Sequence, residues 1–227
     1  MVLNKNIFDI KSISFINLVF AFFPISFILG NFVINLNLVL LCILGIFNLG
    51  SKILTTKLDF TIKIVFLLFI IAFLSTSLSF IKSLYFDGYE YNNLIRLIKS
   101  VVFFRFFILL LIIYLLSEFN IINFKYFFLS AAFSSLLISI DVIFQYTFGF
   151  NIIGLESYGH HNTSFFGDEL ISGGFIQNFS FFAILLVSYL LRNNKSYFKI
   201  MLLATIICTL CVGIMTSGNR MPVILFL

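Results

Sequence analysis

The sequence predicts an all-α fold, a polytopic transmembrane helix bundle with its N-terminus on the cytoplasmic side. Three observations predict it. Hydrophobic residues make up 61% of the 227 residues and charged residues only 10%, far from the balance of a soluble domain. The apolar residues fall in continuous runs near the roughly 20 residues a helix needs to cross a hydrocarbon core. Those runs lack the period-two alternation of a membrane β-barrel.

In order, the expected spans are 13–30, 32–49, 60–81, 97–116, 124–147, 172–191 and 199–217, with an eighth beginning at 221. The first follows Lys5 and Lys11 and looks like a signal sequence. A second span follows almost at once with no small-residue cleavage site, so the reading is an uncleaved anchor. The final MPVILFL begins a helix that seven residues are too few to complete, which predicts the N-terminal part of a longer chain. Residues 1–227 read as a single transmembrane domain carrying a polar outer loop at 148–171.

An N-in arrangement assigns nine basic residues to the inner side and four (Lys82, Arg96, Lys99 and Arg220) to the outer side. That asymmetry follows the positive-inside rule. It places the segments 82–96 and 148–171 and the corner 217–220 outside. The inner loops are short and basic, with no phosphate-cradling glycine loop, which argues against a cytoplasmic nucleotide-using enzyme. The net charge of +5 is the charge of membrane anchoring and does not point to nucleic acid. Cys42, Cys208 and Cys211 all fall inside spans, where nothing favours a thiolate, and read as packing residues. The 34 Phe and absence of Trp, beside abundant Ile, Asn and Lys, read as AT-rich coding rather than as an aromatic site.

The polar stretch from Asp141 to Ile176 holds both histidines and four of the nine acidic residues, and is where chemistry could meet water. Arg105, inside FFRFF, needs a partner, a wet cavity or an anionic ligand, because a mid-bilayer charge costs about 2.5–3.5 kcal/mol. It lies about 12 Å below the outer edge of its span and Asp141 about 9 Å below its own, at about 1.5 Å per residue. An Arg105–Asp141 pair is therefore feasible, either as a structural tie or as part of an outward polar pocket. Gln145 shares a helical face with Asp141. Arg96 and Lys99 suit phosphate or lipid headgroups. His160 and His161 have no third ligand nearby, which makes a zinc site weak. Asp168 and Glu169 could act as acid or base, though adjacency alone does not bring both to one atom.

Three segments together resemble the O-antigen ligase and O-antigen polymerase superfamily of bacterial inner-membrane proteins. The helix from Ile95 to Leu116, RLIKSVVFFRFFILLLIIYLL after the isoleucine, looks like the family's basic-start helix with an internal arginine, here Arg105. DVIFQYTFG and, after a loop, SFFGDELISGGFI are similar to the family's Asp…Gln, Arg-x-Ser-Gly-x-Phe, acidic-pair and glycine-rich helix pattern. TSGNRMPVIL looks like its Ser/Thr-Gly-x-Arg corner. The matching positions are Asp141, Gln145, Phe166, Gly167, Asp168, Glu169, Gly173, Gly174, Gly218 and Arg220. The chain departs from the pattern at three places: His161 stands where arginine is usual, Ser164 replaces a glycine, and Asn219 replaces Ser or Glu. The resemblance covers residues 90–227.

What the resemblance implies is a multi-pass protein of the bacterial inner membrane. It would transfer a glycan from undecaprenyl pyrophosphate to lipid A–core or to another lipid-linked repeat at the periplasmic face, without metal or other cofactor. The pyrophosphate contact falls to Arg220 first, then Arg105 and Arg96. Asp168 or Glu169 orients an acceptor hydroxyl or holds an arginine, and Asp141, Gln145 and His161 line the substrate side. In that family the main catalytic loop lies beyond the point where this chain ends. The alternative is a polytopic transporter or flippase of lipid-linked glycans, which predicts internal repeats that the sequence lacks, or an assembly protein without catalysis.

Overall fold

A computed structural model describes residues 7–50, 52–82, 91–157, 160–167, 169–191 and 197–226. These residues are almost entirely helical. The helices are α1 (Ile7–Ala21), α2 (Phe23–Ile28), α3 (Asn31–Leu49), α4 (Lys52–Thr55), α5 (Phe60–Lys82), α6 (Tyr91–Glu118), α7 (Phe124–Phe148), α8 (Ser172–Leu191), α9 (Tyr197–Thr216) and α10 (Arg220–Phe226). Every expected run is helical. Among the described residues, four helices are long and apolar enough to cross a membrane: Asn31–Leu49, Phe60–Lys82, Leu94–Glu118 and Phe124–Phe148. The architecture is that of a helical membrane protein.

The boundaries differ from the expected ones in two informative places. α6 begins at Tyr91, well ahead of the expected 97, because the polar YNNLIR segment continues the helix beyond its apolar part. The expected span 13–30 is instead two helices, broken at Phe22 with Pro24 in the first turn of α2. An unbroken helix would pair the Val19 carbonyl with the Phe23 N–H. Here the Asn37 carboxamide fills the break, donating to Val19 O (3.1 Å) and accepting from Phe23 N (3.3 Å). Asn37 is only 3% exposed, so this insertion accounts for a polar residue in the middle of an apolar helix.

The chain forms two compact units, one from residues 1–16 and 38–122, the other from 17–37 and 123–227. In the first, α5 and α6 form an aromatic hairpin, with Phe69 stacked on Phe103 at 4.9 Å and the Thr76 hydroxyl donating to Ser100 Oγ at 2.9 Å. None of the apolar window of α5 is buried, against 44% for α7.

In the second unit α7 is the central helix, packed on α8 and α9. Its buried face includes five small residues, Ala131, Ala132, Ser134, Ser135 and Ser139, beside Phe127, Ile138 and Val142. The hydroxyls of Ser134, Ser135 and Ser139 bond back to their own helix, Ser139 to Ser135 O at 2.7 Å for example, whereas the buried Ser130 hydroxyl has no partner among the described residues. Gly213 of α9 sits directly on this face. A Cβ there would lie 2.7 Å from Ser139 Cβ, so glycine sets how closely the two helices approach.

Candidate functional site

The ends of α7, α8 and α9 meet at one end of the second unit, under a cap formed by residues 149–171. α7 stops at Gly149, whose φ of 81° turns the chain while its N–H caps Gln145 O at 2.8 Å. Asn151 then organises a tight turn. Its side-chain oxygen accepts from Ile153 N (3.1 Å) and Leu155 N (2.7 Å), and its nitrogen donates to Ser164 O (2.9 Å).

Asp141 and Gln145, one helical turn apart, hold the far part of the cap. The two oxygens of Asp141 accept from Ile152 N at 2.9 Å and from Ser164 Oγ at 2.6 Å. Gln145 accepts from Ser164 N at 2.8 Å and donates to Leu155 O at 3.2 Å. Asp141, Gln145, Asn151 and Ser164 are all 0% exposed. The carboxylate is therefore satisfied within its own unit, and no arginine is needed to explain its burial. Ser164 carries φ of 56°, in the left-handed region that favours glycine, which is the residue the family resemblance puts at this position.

A second set of bonds ties the cap to the end of α9. Asn162 donates through its side chain to Thr216 O (2.6 Å) and through its backbone to Ser217 O (3.2 Å), while Ser172 Oγ donates to Asn162 O (2.6 Å). Gly218, at φ 79°, packs against the His160 carbonyl and the His161 ring, so a side chain there would collide with the cap. Asn219 donates to Leu170 O at 3.1 Å. The Nδ1 atom of His161 is buried at this junction and has no hydrogen-bond partner among the described residues. Among the described residues, no three His, Cys, Asp or Glu side chains converge as a metal site would require.

Beside this junction lies a groove of about 800 Å³. One face of α8 forms its wall, Gly174, Phe175, Asn178, Phe179 and Phe182 at the spacing of a helical stripe, with Leu170 and Ile171 just ahead of the helix. Phe23 and Phe27 of α2, Phe127 of α7, and Asn219 and Pro222 at the α10 corner complete the lining. The rings are in mutual contact, Phe175 to Phe179 at 4.6 Å and Phe27 to Phe179 at 5.7 Å. Among the described residues the lining carries no charge, and its polar side chains are those of Asn178 and Asn219. Phenylalanine content that coding bias explains in the sequence thus supplies this wall. Glu169 immediately precedes the lining residues Leu170 and Ile171, is exposed, and accepts from Asn31 Nδ2 at 3.3 Å.

The expected site residues therefore separate into groups. Asp141 and Gln145 hold the cap from within, His161 lies at the cap–α9 junction, and Glu169 sits beside the groove. Arg96 and Arg105 belong to the other unit, where both are exposed on α6 and the Arg105 guanidinium lies 4.8 Å from the Phe106 ring centre. Asp168 and the side chain of Arg220 lie outside the described residues, although Arg220 is the first residue of α10. Sequence reasoning missed Asn37, Asn151, Asn178 and the groove. The signal for the turn was present in Asn151-x-x-Gly154, since Asn side chains mimic a turn and glycine accepts the positive φ of 95° found there. Comparison with known protein families, with characterised proteins and with solved structures finds no match.

Proposed function

We propose that this chain belongs to a glycan ligase or polymerase of a bacterial inner membrane, with its N-terminus inside and its capped end facing outward. The observation that carries the reading is the phenylalanine-lined groove opening beside a hydrogen-bonded polar cap. A membrane-soluble substrate with a long apolar chain and a polar head has both environments available side by side. The meeting of the α7, α8 and α9 ends on one side fits alternate crossings of a bilayer. The left-handed conformation at Ser164 and the collision-limited Gly218 fit the glycine-containing pattern that the sequence resembles.

In the reaction, a hydroxyl oxygen of the acceptor attacks the anomeric carbon of the lipid-linked glycan. The bond from that carbon to the pyrophosphate oxygen breaks, and undecaprenyl pyrophosphate leaves with the electron pair. Negative charge grows on the leaving group, where fixed cations stabilise it most efficiently. Arg220, at the corner joining α9 to α10, is the residue assigned to that task. The hydroxyl proton passes to a carboxylate, a role we assign to Asp168 or Glu169, the latter next to the lining residue Leu170.

The test is reconstitution of the protein in vesicles with an undecaprenyl pyrophosphate-linked oligosaccharide and lipid A–core. Release of undecaprenyl pyrophosphate with labelled lipid A–core as co-product is the expected outcome, lost in Arg220→Ala at equal protein level. Movement of the intact lipid-linked glycan across the bilayer without release would favour a transporter and overturn the transferase reading. So would full transfer activity in the Arg220→Ala protein.

A further inference from the structure

The cap does not present a uniformly polar surface. Its first part, 149–155, continues from the end of α7 as a turn with an apolar outside. Ile152 and Ile153 at its tip are 63% and 69% exposed, and Tyr146, Phe148, Phe150 and Leu155 beside them are exposed too. The rings hold one another in place, Phe144 to Phe148 at 4.4 Å and Phe144 to Phe150 at 5.9 Å. Asp141, Gln145 and Asn151, the polar side chains that fold this stretch, are buried instead. A contiguous exposed patch of this kind marks a contact with a membrane or with another protein.

Two observations favour the membrane. The first is the backbone. An irregular segment brings N–H groups that lipid cannot satisfy, so it approaches a bilayer only when the protein satisfies them. All five N–H groups from Asn151 to Leu155 are bonded internally. Asn151 N donates to Leu155 O and Gly154 N to Asn151 O, both at 2.9 Å, Ile152 N donates to Asp141, and Ile153 N and Leu155 N donate to the Asn151 side chain. None of these donors is left for a partner protein, and none is lost when the turn leaves water. The second observation is continuity. Leu129, Phe133, Ile140 and Phe148 are exposed along α7. At 3.6 residues per turn they fall within about 100° of one another. α7 is long and apolar enough to cross a membrane, and its exposed stripe leads into the turn.

We propose that the 149–155 turn is a membrane-interface anchor, with Ile152 and Ile153 inserted where lipid headgroups meet acyl chains, holding the cap against the bilayer. Interfacial anchors bury their apolar groups about 5–10 Å into that boundary. Glu156, exposed directly after Leu155, limits the depth, because a carboxylate is costly to take below the headgroups. Tyr146 suits the same level, with its ring in the apolar part and its hydroxyl among the headgroups. The outer loop that composition makes polar from 148 onward thus meets water only after Leu155. The inference needs α7 to lie in a bilayer and nothing of glycan chemistry.

The chain contains no Trp, so one introduced indole reports its own surroundings. Ile153→Trp and Ile152→Trp are compared with Phe133→Trp, an exposed position in the middle part of α7, in phosphatidylcholine vesicles. Fluorescence quenching is measured with aqueous iodide and with lipids brominated either near the headgroup or near the chain end, and free tryptophan amide gives the fully wet limit. Ile153→Trp is expected to emit to the blue of the free amide and to be quenched several-fold less by iodide. The shallow bromine should quench it more than the deep one, and Phe133→Trp should show the opposite order. Ile152→Trp takes the place of Ile153→Trp if that protein fails to fold. Iodide quenching near that of the free amide, with no effect of either lipid, would put the turn in water and overturn the proposal. Protection from iodide and from both lipids would mean that a second copy or another protein covers the patch, and overturns it equally. So does stronger quenching by the deep lipid, which would put the turn in the hydrocarbon core. A Phe133→Trp protein insensitive to both lipids takes α7 out of the bilayer, and the anchor with it.

Discussion

Replacing Asp141 tests how the cap is held. Its two oxygens accept from Ile152 N at 2.9 Å, in a part-buried bond, and from Ser164 Oγ at 2.6 Å, in a buried one. Hydrogen bonds to a charged group contribute about 1.5–3 kcal/mol each, so Asp141→Ala removes about 3–6 kcal/mol from cap closure and strands the buried Ser164 hydroxyl. Since about 1.4 kcal/mol is a factor of ten, the population of open cap should rise by at least about a hundredfold. Asp141→Asn should behave differently. Its remaining oxygen still accepts from Ile152, and the Ser164 hydroxyl can turn round to accept from the amide, leaving a loss of about 1 kcal/mol. Hydrogen–deuterium exchange of peptides covering residues 150–164, in nanodiscs, reads the opening directly. The expected order of exchange is wild type, then Asp141→Asn, then Asp141→Ala by a wide margin. Wild-type protection in Asp141→Ala would refute the assignment of these bonds as the lock. Equal damage from both substitutions would mean that the charge, and not the two acceptor positions, is what matters.

Two further outcomes follow from the same geometry. Asn37→Leu leaves the Val19 carbonyl and Phe23 N–H unpaired at the α1–α2 break, at about 1–3 kcal/mol for each buried group; thermal unfolding in detergent should show a clear loss, and an unchanged melting temperature would remove Asn37 from this role. Gly218→Ala should destabilise more than Gly149→Ala by the same measurement, because both have positive φ but only at Gly218 does a Cβ collide, with His160 and His161. Equal effects would mean that backbone strain alone sets the cost.

The helices were legible because continuous apolar runs leave few other structures available in a bilayer. The Asp141–Gln145 face was legible too, since a spacing of four puts two side chains on one side of a helix. Their partner Ser164 was not, because the bonds close across a loop whose path depends on Asn151 and Gly154. The α1–α2 break was hidden for a related reason. Pro24 stands in an apolar run, and the group that repairs the break comes from Asn37 on the following helix. The groove face of α8 had a readable period, but a stripe of Phe, Asn and Gly at helical spacing looks like ordinary packing until α2 is seen to leave space opposite it.

The two sets of cap bonds also impose an order on synthesis. Asp141, Gln145 and Asn151 reach partners 10 to 23 residues ahead, so the inner lock can close as soon as Ser164 has left the ribosome. Asn162 must wait for Thr216, 54 residues later. At about 5–20 residues per second, that is a delay of several seconds. During it the nascent cap has its partners on α7 available but not yet those at the end of α9.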